Sequence, residues 1–210
     1  MERPWRALAL AWVFCLLALP GVAAYSASNP LLVLGDSLSA EYGLARGSGW
    51  VTLLERKLAA EKVDLPLVNA SVSGETRSGG RSRLPALLRR HNPSIVIIEL
   101  GANDGLRGLS LAATEANLKA MISAAQKAGA RVLLVGMQLP PNYGPDYARR
   151  FAGMFPKVAR EAGAGLVPFL LEGVADKAQF FQVDRLHPTA EAQSFMLNNV
   201  WPHLKPLLPQ

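Results

Sequence analysis

A serine directly behind an apolar run and a histidine three residues after an aspartate are the most chemically suggestive residues of this chain. The first lies in Gly35-Asp36-Ser37-Leu38, which follows Leu31–Leu34; the second lies in Asp184-Arg185-Leu186-His187, near the other end. A neutral hydroxyl attacks a carbonyl poorly until a base takes its proton, and an imidazole oriented by a carboxylate is such a base. Asp36 competes with Asp184 for the carboxylate role, although holding the serine turn or a neighbouring loop suits it better; the same choice applies to Asp104. Glu75 could accept a proton, but nothing in the sequence positions it. His91 closes a basic helix and His203 falls in the last helix, so His187 is the histidine that sits beside an acid.

Taken singly, each motif has a plainer reading. Gly-Asp-Ser and Gly-Ala-Asn-Asp are compositions that turns favour, and Asp-x-x-His before a proline suits the start of a helix. Their position along the chain makes the case. Leu31–Leu34, Leu65–Val72, Ser94–Leu100, Arg131–Gly136 and Gly165–Phe169 read as five strands, of which Ser94–Leu100 (SIVIIEL) is the strongest. Helical spacing occupies Gly49–Lys62, Arg81–His91, Leu111–Ala128 and Asp146–Glu161, with Pro156 expected to kink or divide the last of these. A final helix is expected from near Pro188 to about Leu204.

Strands that alternate with helices predict an α/β fold: a doubly wound, five-stranded, mostly parallel sheet of order 2-1-3-4-5. Helices would cover both faces, as in a flavodoxin-like three-layer sandwich. Ligands of such sheets bind beyond the carboxyl ends of the strands, where the strand order reverses. Gly35-Asp36-Ser37, Ser73-Gly74-Glu75-Thr76 and Gly101-Ala102-Asn103-Asp104 each follow one of the first three strands, and Asp184 and His187 can reach the same edge.

Composition narrows the setting. The 210 residues are 50% hydrophobic and 18% charged, enough to bury a core and too apolar for disorder. Two arginines in the first six residues precede the uncharged run Ala7–Leu19, and Pro20-Gly21 and Val22-Ala23-Ala24 follow it. That is the layout of a secretory signal peptide over residues 1–24, with one domain over 25–210 and a periplasmic or secreted destination. The run falls short of the about 20 residues a membrane-spanning helix needs. Cleavage after Ala24 would remove Cys15, the only cysteine, and with it any disulfide, thiol nucleophile or thiolate metal site. Three scattered histidines make a metal site improbable. The net charge of +6 becomes +5 once Glu2, Arg3 and Arg6 are removed, so the basic character belongs to the mature domain. It supports at most peripheral contact with a membrane surface, and no motif points to nucleic acid. The absence of a heptad or an exposed apolar strand leans towards a monomer.

In order and spacing, the four motifs resemble those of the GDSL or SGNH hydrolases from Leu31 to the final helix. The text around Ser37 and Asn103 (GDSLSA and NDGLRG) is nearer to a branch of periplasmic multifunctional esterases acting as thioesterase, protease or lysophospholipase. The resemblance implies Ser37 as nucleophile, His187 as base and Asp184 as its orienting carboxylate. It implies an oxyanion hole from the Ser37 and Gly74 backbone N–H groups and the Asn103 side-chain amide. It further implies a substrate-binding loop over Gly105, Leu106, Arg107 and Leu109 that can move over an acyl groove, which Gln138–Tyr147 could border on another side. The expected activity is cofactor-free hydrolysis of carboxylic esters and acyl thioesters, including aryl and short- to medium-chain esters and lysophospholipids. A carbohydrate acetylesterase is the alternative enzyme, and a non-catalytic lipid- or carbohydrate-binding module the alternative outside catalysis.

Overall fold

The computed structural model describes Met1 and residues 29–209. Apart from Met1, the segment read as a signal peptide lies outside the described residues. Five strands form one sheet: β1 (Leu31–Gly35), β2 (Leu67–Asn69), β3 (Ile95–Glu99), β4 (Arg131–Val135) and β5 (Gly165–Val167). Their order is β2-β1-β3-β4-β5 and every pairing is parallel, so the expected topology is the observed one. Parallel strands need crossover connections, and right-handed crossovers from a central β1 send helices to opposite faces. Helix α1 (Trp50–Ala60) packs with α6 (Gln193–Leu204). Helix α4 (Leu111–Lys127) packs between α2 (Arg77–His91) and α5 (Pro145–Ala162). Every residue of β1 and β3 is buried, as their apolar text requires for strands covered on both sides.

Several local expectations shift. Helix α5 runs unbroken through Pro156 rather than dividing there. Pro156 is on the exposed face, away from buried Phe151, Phe155 and Val158. Helix α6 begins at Gln193, not near Pro188, which is instead bridged antiparallel to Phe181. The stretch after β3 is no simple loop, since Ala102–Leu106 forms a short helix, α3. Gly101 precedes it at φ 116°, a conformation that favours glycine, and turns the chain sharply off the strand end.

Candidate active site

Ser37 leaves the carboxyl end of β1 on a turn held from inside by Asp36. The Leu38 N–H donates to Asp36 Oδ1 at 3.0 Å, and the Ala40 N–H donates to the Asp36 carbonyl at 3.0 Å. Opposite this turn, residues 180–189 double back as a small hairpin. The Gln182 N–H donates to the His187 carbonyl at 2.8 Å, and the Thr189 N–H to the Phe180 carbonyl at 2.7 Å. The Gln182 side chain ties the hairpin to the serine loop by donating to the Tyr42 and Pro188 carbonyls at 2.9 and 3.0 Å. Tyr42 adds a second tie, with its ring centroid 4.3 Å from that of His187.

The result is a continuous line of three groups. His187 Nε2 lies 2.9 Å from Ser37 Oγ, and His187 Nδ1 lies 2.6 Å from Asp184 Oδ2. Assigning the ring proton to Nδ1, which donates to the carboxylate, leaves Nε2 free to accept the serine O–H. Asp184 does not cap the final helix. Its Oδ1 instead accepts the Leu186 and His187 N–H groups at 2.9 and 3.0 Å, closing a tight turn with Arg185 at φ 58°. Those two backbone donors, the His187 N–H first, and then the imidazole hold the Asp184 carboxyl at about 2, below its usual 3.8. The carboxylate is therefore ionised whenever it must orient the ring.

Further N–H donors lie along the same strand edge. Neither the Ser37 nor the Gly74 backbone N–H has a partner among the described residues. Gly74, at φ 76°, is also open where a side chain would stand. Asn103 sits in the first turn of α3, and its Nδ2 donates to Asp36 Oδ2 and to the Glu75 carbonyl, each at 3.0 Å. The loops bearing Gly74 and Asn103 are further clipped together by a buried Arg77–Asp104 ion pair and by the Arg77 N–H donating to Asp104 Oδ2 at 3.0 Å. Asp36 and Asp104 are thus both occupied in holding loops. Glu75 is likewise paired, with Arg83 Nε at 2.7 Å.

A largely apolar groove of about 1110 Å³ opens beside these loops. Leu106, Met137, Leu139, Phe169, Phe181 and Leu186 are among its lining residues, with Arg185 and Asp176 as charged members. Of the four residues expected to bind substrate, only Leu106 lines it. Arg107 and Leu109 follow α3 and are exposed, with Arg107 Nη2 3.5 Å from the Gly74 carbonyl, while Gly105 is buried. A Cβ at Gly105 would stand 2.5 Å from the Phe151 ring, so this glycine lets α3 pack closely against Phe151. Gln138 and Pro140 do border the groove, in line with the expectation for the 138–147 segment. Among the described residues no cluster of three or more metal-ligating side chains occurs.

One member of the neighbourhood carries almost no signal in the sequence. Glu99, the last residue of β3, is fully buried beneath the serine turn. Its Oε2 accepts the Ser39 O–H at 2.8 Å and the Asp36 N–H at 3.3 Å. The one hint of it is a carboxylate inside an otherwise apolar strand.

Residues 33–194 match the GDSL-like Lipase/Acylhydrolase family. The chain belongs to that family. Esterase TesA of Pseudomonas aeruginosa is 50% identical over 192 residues, covering 91% of this chain and 96% of the relative. The thioesterase 1/protease 1/lysophospholipase L1 of Escherichia coli K12 is 42% identical over 183 residues, covering 87% and 86%. The crystal structure of TesA superposes with a TM-score of 0.84 at 52% identity, covering 85% of this chain and 99% of that one. This GDSL-family chain is an ester-hydrolysing enzyme with the SGNH α/β fold.

Proposed function

We propose that this esterase is a secreted, cofactor-free serine hydrolase of carboxylic esters and acyl thioesters that works through an acyl-enzyme on Ser37. The observation that carries the reading is the unbroken Ser37–His187–Asp184 line, with its contacts of 2.9 and 2.6 Å. His187 Nε2 takes the proton as Ser37 Oγ bonds to the substrate carbonyl carbon. The charge gathers on the former carbonyl oxygen, which the Ser37 and Gly74 N–H groups and the Asn103 amide receive. Collapse of the tetrahedral intermediate expels the alcohol or thiol, which His187 protonates. Water then enters by the same path in reverse and releases the acid.

Such fixed donors are worth about 3 kcal/mol each in comparable hydrolases. Asn103 has to reassign one N–H to provide its share, because both are already bonded in the free enzyme. The bond to the neutral Glu75 carbonyl is the weaker of the two and is the one released.

The groove favours acyl substrates of some length, since an acetyl group would leave most of about 1110 Å³ unfilled. Tyr42, Val72, Leu109, Val183 and Leu186 are large apolar residues exposed on the loops around Ser37, Gly74, Asn103 and His187. Together they suit an amphiphilic substrate such as a lysophospholipid, with at most peripheral contact with the surface that carries it. The signal-like N-terminus supports a periplasmic or secreted site of action, and the protein acts as a monomer.

Ser37→Ala should lower ester hydrolysis by roughly 10⁴-fold or more with the fold intact by circular dichroism. Full activity in that variant would refute the mechanism. Specificity constants for p-nitrophenyl esters from acetyl to palmitoyl, one lysophospholipid and one acetylated sugar would locate the substrate class. Preference for the acetyl sugar would favour a carbohydrate acetylesterase instead.

A further inference from the structure

Beneath the serine turn lies an acid pair that the hydrolytic steps do not use. Asp36 and Glu99 are 1% and 0% exposed, and the Asp36 N–H donates to Glu99 Oε2 at 3.3 Å, which sets the two carboxyl groups side by side beneath the turn. Two neighbouring buried carboxylates with no ion pair among the described residues are too costly to keep ionised together; one of the pair must hold a proton. Donor placement says which. Asp36 accepts twice, from the Leu38 N–H and from Asn103 Nδ2, as suits the anion. Glu99 Oε2 accepts from Ser39 and Asp36, but Oε1 is buried and no donor among the described residues points at it. An oxygen that itself carries the hydrogen needs no donor.

Space around the pair is fitted to this arrangement. A Cβ at Gly35 would come within 2.7 Å of Ser39 Oγ and 2.9 Å of Glu99 Oε2, so only glycine lets the strand end pass this close to the carboxyl group. Asp36 in turn accepts from the same Asn103 amide nitrogen that donates to the Glu75 carbonyl.

We infer that Glu99 is a positioning residue: a neutral carboxylic acid that fixes the Asp36 carboxylate, which in turn is the pivot of the Asn103 amide. When the oxyanion forms, Asn103 keeps its bond to Asp36 and turns its other N–H from the Glu75 carbonyl to the substrate oxygen. Without Glu99 the Asp36 N–H and the Ser39 O–H lose their acceptor, the turn that carries Asp36 loosens, and the amide is no longer aimed. Burial pushes both acids up, Asp36 to about 6 and Glu99 well above its usual range, the same direction as the donor placement.

The role of Asn103 rests on the proposed function, but the protonation of Glu99 does not. The test therefore has two arms. Infrared difference spectra of the full protein at pH 8, wild type against Glu99→Gln, should show the carbonyl stretch of one protonated carboxylic acid lost in the variant. Absence of that band would overturn the inference whatever the catalytic mechanism. In the kinetic arm, Glu99→Gln keeps a neutral group of the same shape with an oxygen that can accept from Asp36 and Ser39, and should retain kcat within about threefold, whereas Glu99→Leu should lose about tenfold or more in kcat with KM little changed. Should the leucine variant fail to fold, Glu99→Gln alone decides, since a glutamate needed as an anion would not survive amidation. A large loss in Glu99→Gln, or a loss in Glu99→Leu that falls on KM alone, would overturn the positioning role. Esterase activity lost in Ser37→Ala but with these outcomes reversed would leave the serine mechanism standing and this inference refuted.

Discussion

Ser37 lies between two aspartates that the fold treats in opposite ways. Asp184, in the hairpin, is half open to water and accepts two backbone N–H groups and the His187 ring, so its carboxyl sits near 2. Asp36, beneath the turn, is sealed against Glu99, and burial outweighs its hydrogen bonds to raise it to about 6. Donor count governs the first and desolvation the second. The difference sorts their work. An acid that must steer an imidazole and balance its positive charge has to remain ionised, and the exposed turn secures that. An acid that only has to hold a loop can be buried beside another acid and tolerate a raised value.

Breaking the Asp184 side should have the largest effect. Asp184→Asn keeps the turn but removes the charge and permits the wrong ring tautomer, and kcat should fall by on the order of 10⁴-fold; steady-state kinetics on a soluble aryl ester would measure it. A loss below tenfold would mean that another carboxylate orients His187. Next comes the oxyanion side, where Asn103→Ala should cost about 10²–10³-fold in kcat with KM little changed. An effect confined to KM would make Asn103 a binding residue instead.

The two acids also predict opposite stability slopes with pH. Asp36 has a folded value above its unfolded one, so its contribution favours the fold at low pH and is lost as pH rises from about 4 through about 6. Asp184 is depressed, so its contribution is present above about 4 and is lost as pH falls towards about 2. Thermal melts of wild type and Asp36→Asn should therefore diverge between pH 4 and 7, the wild type losing ground by on the order of 1–3 kcal/mol as pH rises. Parallel curves would contradict the burial account. The smallest effect is expected in the groove. Leu186→Ala should reduce kcat/KM for long acyl esters by about five- to tenfold while sparing acetyl esters. Equal losses on both would place Leu186 in His187 positioning rather than chain binding.

Much of this arrangement is legible in the residues themselves. Apolar runs such as Leu31–Leu34 and Ile95–Ile98 leave little choice but buried parallel strands, and the motifs that follow them must meet at one edge. What the residues do not reveal depends on packing across the sheet. Whether Pro156 breaks its helix depends on which face it occupies. Whether Gly105 is a hinge depends on Phe151, which lies 46 positions away and fills the space above it. Glu99 reads as an anomaly in a strand until Ser39 and Asp36 are brought over it. The start of α6 shifts because Pro188 serves the hairpin that carries His187, a tertiary demand that overrides its local preference for the first turn of a helix.

The central claim is that Ser37 becomes acylated. Rapid acid quench of the enzyme with a p-nitrophenyl ester, followed by intact-mass and peptide mass spectrometry, tests it most directly. The predicted result is one added acyl group per chain, located on the peptide containing Ser37 and absent in Ser37→Ala. Turnover with no adduct on Ser37, or an adduct elsewhere that survives the alanine substitution, would contradict it.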